Sequence, residues 1–345
     1  MQKYLCKHLK KGETIKILAW PKTGLNPYNE IIYKELEKQG VEVLSHREHR
    51  SAGIFYKVDV FHFHWINAYL NHKPLKAFIS TFAFIMFILI LKLRGTKIIW
   101  TLHNSVEFTH HGKNKWLENI LVPFLLNKVD KIIIHSKFQK NHLDKKYHNK
   151  LVWIPHQNYC SLLDKNIENN KEYFLFFGGI NRYKNIEFAI ATYKKALKNK
   201  DIDNFIIAGI APNLEYNSEL IKLIDNNKKL VFKNKQLSDE ELEQIVKKAK
   251  AVILPFDEIT NSGSMIYALS CKTKVIMQKS QLTDEFLNNY DNLENAILTY
   301  SNEDELKNIL LSIDNNNVDY KIFDDYIEKT NISNLVDKYI KVFET

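Results

Sequence analysis

Short apolar runs alternate with amphipathic stretches along most of the chain. Ile15–Ala19 predicts a strand, Trp20–Tyr28 a loop and Asn29–Gln39 a helix. Val41–Leu44, Val58–His64 and Lys97–Leu102 read as further strands, with a long apolar helix ahead of the last. A helix near Lys115–Leu126 and strands at Lys131–His135 and Leu151–Ile154 close this first series. The pattern restarts at Tyr173, with strands at Phe174–Phe177, Phe205–Ala208, Leu230–Phe232, Ala251–Leu254 and Lys274–Met277. Between them lie predicted helices at Glu187–Leu197, Ser218–Asp225, Ser238–Lys248 and Gly263–Ser270, the third opened by a Ser238/Glu241 capping box. Strands separated by helices of this length imply parallel pairing through right-handed crossovers. The restart marks a boundary near 160–172, in the polar segment LLDKNIENNKEY. The expected architecture is α/β: two doubly wound domains, 1–160 and 161–345, facing across a cleft at the carboxyl ends of their strands. Asp319–Phe343 is largely helical by pattern, and the final helix is expected to pack back on the N-terminal domain.

The apolar run Ala77–Leu91 is uncharged, and its 15 residues are bounded by Lys76 and Lys92. A helix of that length covers about 22 Å, short of a bilayer core. It reads either as a buried helix of an α/β domain or as one dipping into a single leaflet.

At 345 residues the chain has room for two domains. A mixture of 45% hydrophobic and 26% charged residues excludes collagen-like, mucin-like and wholly disordered classes. The charge is uneven. Residues 1–160 carry 25 Lys/Arg against 11 Asp/Glu and all 13 histidines; the remainder carries 24 against 29. A basic first half suits either an anionic partner or a solvated cationic surface. Three scattered cysteines and no CxxC pair argue against a disulfide framework or a zinc ribbon and for a reducing compartment. The start, MQKYLCKHLKKGETIKIL, lacks the apolar run of a signal peptide, so a cytoplasmic location is expected.

Three segments carry candidate chemistry. Gly178, Gly179, Arg182 and Lys184 follow one predicted strand and precede a helix, where free N–H groups and cations suit a diphosphate. Asp257, Glu258, Thr260, Asn261, Ser262, Gly263 and Ser264 lie between another strand and helix. The serines and glycine there suit an anion, and the acidic residues suit sugar hydroxyls or the helix dipole. In the first half, His64, Asn67, His103, Glu107 and His110 follow strands, and Asn26 and Tyr28 sit in the first strand-to-helix loop. Histidine at a strand end serves a base or a hydrogen bond to a sugar hydroxyl. The HxH and HH pairs have no zinc spacing, so no metal site is expected.

In their order and spacing, IKILAWPKTGLNPYNEIIYKEL, DVFHFHW with KIIWTLHN, FGGINRYKN with FIIAG, and LSDEELEQIVKKAKAVILPFDEITNSGSMIYALSCKTKVI resemble GT-B glycosyltransferases. The likeness is to bacterial capsule and exopolysaccharide enzymes near glycosyltransferase family 4 and the xanthan glucuronosyltransferase. It implies two Rossmann-like domains, the second holding a nucleoside diphosphate sugar. Lys184 takes the phosphate-binding lysine's place, with Arg182 beside it. Ser262, Gly263 and Ser264 hold the diphosphate, and Gly209 with Lys233–Leu237 borders the nucleoside. His103 faces the transferred sugar. Two departures stand out: the second family glutamate falls at Tyr267 or Ala268, and a helix-ending glycine is replaced by Lys272.

The resemblance implies transfer of a sugar, a hexose by expectation, to a saccharide acceptor carried on a polyprenyl diphosphate. No cofactor or metal is expected. His103, Glu107 and His110, in that order, are the candidate bases if the reaction inverts, and the residues do not distinguish inversion from retention. A peripheral place on the inner face of the membrane follows if the basic domain meets anionic lipid. The rivals are a nucleotide-sugar epimerase on the same fold and a catalytically silent nucleotide-sugar-binding subunit. A nucleic-acid-binding module is disfavoured by dispersed cations and the absence of RRM, KH or zinc-finger patterns.

Overall fold

The computed structural model describes residues 14–24, 26–49, 53–66, 70–103, 114–164, 170–256, 261–315 and 319–344. They divide into two compact units: one runs to Gln157 and also takes the residues from Ile332 onward, the other is Asn158–Asn331.

The first unit holds six strands: β1 (Lys16–Trp20), β2 (Glu42–Ser45), β3 (Val60–Phe63), β4 (Lys97–Leu102), β5 (Lys131–Ile134) and β6 (Leu151–Trp153). All pair in parallel, in the order β2-β1-β3-β4-β5-β6. β3 is buried at every position, which its run of bulky side chains anticipates, because a parallel sheet is covered on both faces. Helices α1 (Tyr28–Lys38), α2 (Pro74–Leu93) and α3 (Lys115–Lys128) supply much of that cover. At 20 residues α2 outruns the uncharged stretch Ala77–Leu91. Pro74 starts it with its preset φ and Gly95, at φ +76°, follows its end, so the flanking Lys76 and Lys92 become helical too. Ala77, Phe84, Ile88 and Leu91 bring one side of α2 into the core with Phe61, Phe63 and Trp100.

The second unit runs β7 (Tyr173–Phe177), α4 (Ile186–Asn199), β8 (Phe205–Ala208), α5 (Leu214–Ile224), β9 (Leu230–Lys233), α6 (Asp239–Lys247), β10 (Ala249–Leu254), α7 (Gly263–Ser270) and β11 (Lys274–Gln278). It continues with α8 (Gln281–Asn289), β12 (Ile297–Tyr300), α9 (Glu303–Ser312) and α10 (Lys321–Lys329). Its all-parallel order is β12-β11-β10-β7-β8-β9. Counted from the unit's own first strand this is the 3-2-1-4-5-6 order of a dinucleotide-binding sheet, which reverses direction between β7 and β10. The Ser238/Glu241 capping box forms as read from the sequence. α5 begins at Leu214, earlier than the predicted Ser218, because Asn213 caps it by accepting from Tyr216 N–H at 2.9 Å. The last helix, α11 (Ile332–Glu344), lies on the first unit, where Tyr339 Oη meets Tyr28 Oη at 2.9 Å and Phe343 packs on His62.

Candidate active site

Ligands of doubly wound sheets sit where the strand order reverses, at the carboxyl ends of the two strands that part there. In the second unit these are β7 and β10, and their following loops carry both of its candidate segments. Gly178 leaves β7 at φ +110°, and Gly209 leaves β8 at φ +149°. A Cβ on Gly209 would stand 1.9 Å from the Gly178 carbonyl oxygen, so glycine alone fits there. A Cβ on Gly178 would meet two groups instead: Lys184 Nζ at 3.4 Å and Ser264 Oγ at 3.5 Å. Residues 80 positions apart in sequence therefore reach one small space above Gly178.

Lys184 ends a short 3-10 turn, Arg182–Lys184, and its side chain is buried. Its ammonium rests over Phe176 at 5.5 Å and Phe256 at 5.3 Å. Burial pushes its pKa down to about 8, and no carboxylate among the described residues offsets that. A buried cation of this kind awaits an anion. The second half of the site is the start of α7. Ser262 caps the helix, its Oγ accepting from Met265 N–H at 3.2 Å. The N–H groups of Gly263 and Ser264 then have no intrahelical acceptor and add the positive end of the helix dipole.

The other candidates of this unit are placed differently. Gly179 is exposed, and a Cβ there would meet only Asn181 Nδ2 at 3.4 Å. Arg182 is exposed, ion-paired with Glu219 of α5 at 2.6 Å and stacked on Tyr216. Asn261 immediately precedes the Ser262 cap and is half-buried. Asp257, Glu258 and Thr260 lie outside the described residues. In the loop Lys233–Leu237, Lys233 O accepts from Gly209 N–H and Asn234 Oδ1 from Ala211 N–H, which ties the loop to the end of β8. Lys272 holds the left-handed conformation, φ +53°, of the glycine it replaces, and its ammonium pairs with Asp324 at 2.5 Å.

In the first unit the strand order reverses between β1 and β3, and a buried histidine cluster occupies those strand ends. His64 Nδ1 bonds His103 Nε2 at 3.1 Å, and His64 Nε2 bonds Tyr33 Oη at 2.8 Å. Tyr33 Oη continues to His62 Nδ1 at 3.0 Å, and His62 Nε2 to Thr101 Oγ1 at 2.8 Å. Burial, reinforced by the other histidines, lowers the pKa of His62 to about 3 and those of His64 and His103 well below the usual value. Each neutral ring carries one N–H, so this chain runs in one of two directions: every link donates toward His103, or every link donates away from it. His103 lies against Trp65, its ring parallel at 4.3 Å.

Tyr28 sits at the centre, its ring against those of His64, His103, His135 and His156. Asn26 Oδ1 accepts from Tyr28 N–H at 3.0 Å and opens α1. His135 and His156, which the sequence reading passes over, complete the cluster, with burial lowering their pKa values to about 4 and about 3. The signal was their position: each closely follows a strand, as His64 and His103 do. His135 Nδ1 donates to Ile154 O at 2.9 Å, leaving buried Nε2 with no partner among the described residues. Asn67, Glu107 and His110 lie outside the described residues. Among the described residues no three His, Cys, Asp or Glu side chains form a metal-holding group.

Residues 163–330 match the family model described as glycosyl transferases group 1. No curated protein matches the chain in sequence. Among solved structures, sucrose-phosphate synthase from Thermosynechococcus elongatus is similar at TM-score 0.70 and 13% identity, covering 96% of this chain and 98% of that one. HepE from Anabaena, solved with UDP and glucose, gives 0.67 and 13%, covering 96% and 99%. TarM gives 0.61 and 14% over 83% of this chain, which spans 55% of TarM's length.

Proposed function

We propose that this chain, which has the GT-B fold and whose residues 163–330 match the group 1 model, is a glycosyltransferase that moves a sugar from a nucleoside diphosphate sugar to a saccharide acceptor. The observation that carries this is the buried ammonium of Lys184, offset by no carboxylate among the described residues, beside Ser264 and the start of α7. HepE and its UDP complex favour a uridine nucleotide as the first donor to try.

Cleavage of the sugar–phosphate bond puts charge on the departing diphosphate. Lys184, the Ser264 hydroxyl and the Gly263 and Ser264 N–H groups meet that charge at fixed positions. Because the charge is met by the chain's own groups, transfer is expected to persist in EDTA. Gly178 leaves room for the diphosphate beside Lys184 and Ser264, while Gly209 lets the ends of β7 and β8 approach each other. On the first unit, the neutral His103 and its neighbours suit hydrogen bonds to sugar hydroxyls, since a histidine with so low a pKa is a poor proton acceptor near pH 7.

The acceptor in this reading is a polyprenyl-diphosphate-linked saccharide of surface polysaccharide synthesis, which places the enzyme in the cytoplasm, at the inner face of the membrane. The test is product analysis with UDP-, GDP- and TDP-sugars and a cell-lipid extract. Donor-dependent labelling of a lipid saccharide supports the proposal. An isomerised sugar nucleotide formed without acceptor makes the protein an epimerase, and donor binding without any turnover makes it a silent subunit.

A further inference from the structure

One side of α2 is apolar and stands exposed among the described residues. Leu75, Phe78, Ile79, Phe82, Met86 and Leu93 recur at helical spacing along one stripe and are between 41% and 88% exposed. Trp116 and Ile120 of α3 widen it, with Trp116 stacked on Phe78 at 6.1 Å. Only a third of the most apolar window of α2 is buried, although that window is apolar enough to enter a membrane. Water-soluble surfaces rarely leave so many large apolar side chains side by side.

The opposite side of α2 fixes its orientation. Ala77, Phe84, Ile88 and Leu91 belong to the core of the first unit, so the helix cannot leave the protein to cross a bilayer without dismantling that core. It can lie flat, with the stripe downward. α2 contains no acidic residue, and the sole acidic residue of α3, Glu118, is buried. Exposed Lys73, Lys76 and Lys115 stand at the ends of the two helices, where long cationic side chains reach lipid phosphates while their stems lie on apolar surface. A cavity of about 850 Å³ runs along the stripe's flank: Ala83, exposed, lines it together with Ser80, Phe84 and Phe87, and its walls carry Arg47, Glu48 and Lys22, the last paired with Glu37.

We propose that the α2–α3 face is the enzyme's docking surface for an anionic phospholipid leaflet, the apolar stripe entering the acyl boundary and the lysine rim meeting the head groups. The partner is a lipid surface, identified by an apolar stripe without acid and with a cationic border. This goes beyond sugar transfer and stands whether or not the acceptor is lipid-linked.

The test is co-sedimentation of the full chain with phosphatidylcholine vesicles with and without phosphatidylglycerol, at low salt. Wild type should bind the phosphatidylglycerol vesicles. Ile79→Asp/Phe82→Asp should bind them at least about tenfold more weakly. Lys73→Glu/Lys76→Glu should lose the preference for phosphatidylglycerol. Leu214→Asp, at an exposed apolar position of the second unit, should bind as wild type does. UDP affinity, read in parallel, should be unchanged in the two α2 variants, which separates this proposal from the donor-site reading. Equal binding of Ile79→Asp/Phe82→Asp and wild type, or no binding by wild type, overturns it. So does a wild-type dimer that the same double variant dissociates in the absence of vesicle binding, because a second copy then covers the stripe.

Discussion

Lys184 Nζ and Ser264 Oγ lie 3.4 and 3.5 Å from the same point, the place where a side chain on Gly178 would begin. One residue comes from the turn after β7 and the other from the helix after β10, so the reversal of strand order is what brings them together. An ammonium, a hydroxyl and a helix N-terminus around one space suit a phosphate.

Donor binding should therefore weaken in alkali. The Lys184 pKa is lowered to about 8, so the free protein loses this charge as pH rises through 8, whereas a bound diphosphate favours the charged form. The donor KM should be flat below pH 7 and climb above pH 8, approaching about tenfold per unit. In Lys184→Ala the climb should vanish. The free protein's stability should move the opposite way, rising from pH 8 toward the unfolded lysine's value near 10.5, because there the unfolded chain binds the extra proton.

The glycines should separate folding from binding. Gly209→Ala drives a Cβ to 1.9 Å from a backbone oxygen and should cost about 3–5 kcal/mol in urea unfolding. Gly178→Ala should still fold, at a strain cost, but lose donor affinity at least about tenfold because its methyl enters the phosphate space. Gly179→Ala, with only Asn181 nearby, should retain both properties.

Gly178, Gly179 and Lys184 stood out in the sequence because glycines and a cation at the end of a buried run suit a diphosphate, although a tight turn with solvated cations has the same pattern and describes Arg182. The alternation of strands and helices was legible for a related reason: strands buried on both faces are written as unbroken apolar runs. The segment from Lys279 to Asp319 was not. Its strand β12 is ILTY, half-buried, and the flanking α8 and α9 carry many polar residues, so pattern alone gives no strong period. His135 and His156 were missed because a single histidine among apolar neighbours resembles ordinary core filling; only the fold shows five such rings gathered around Tyr28 and Tyr33.

That cluster should make the protein acid-labile. His62, His135 and His156 titrate at about 3, 4 and 3 in the folded state, against 6.5 unfolded. Below pH 6.5 the unfolded chain takes up protons that the folded one refuses, so stability falls with pH, by about 1.4 kcal/mol per unit for each group. Denaturant midpoints should be level between pH 7 and 8 and drop steeply between pH 6 and 5.

Tyr33→Phe removes the middle link between His62 and His64 and leaves two buried ring nitrogens without their partner. The cost should be about 2–4 kcal/mol, measured at pH 7.5, where all the rings are neutral.

Lys272 takes a left-handed conformation at the end of α7, where glycine is at ease. Its ion pair with Asp324 joins a mostly buried ammonium to a half-exposed carboxylate and offsets only part of the strain. Lys272→Gly should raise stability by about 0.5–1 kcal/mol in chemical denaturation.

The most direct measurement is calorimetric titration of UDP into wild type, Lys184→Ala, Ser264→Ala and the double variant. Convergence on one diphosphate predicts that Lys184→Ala weakens binding at least about tenfold, and that the double variant loses less than the two single losses combined, since each residue grips what the other holds. Wild-type affinity in Lys184→Ala would contradict it.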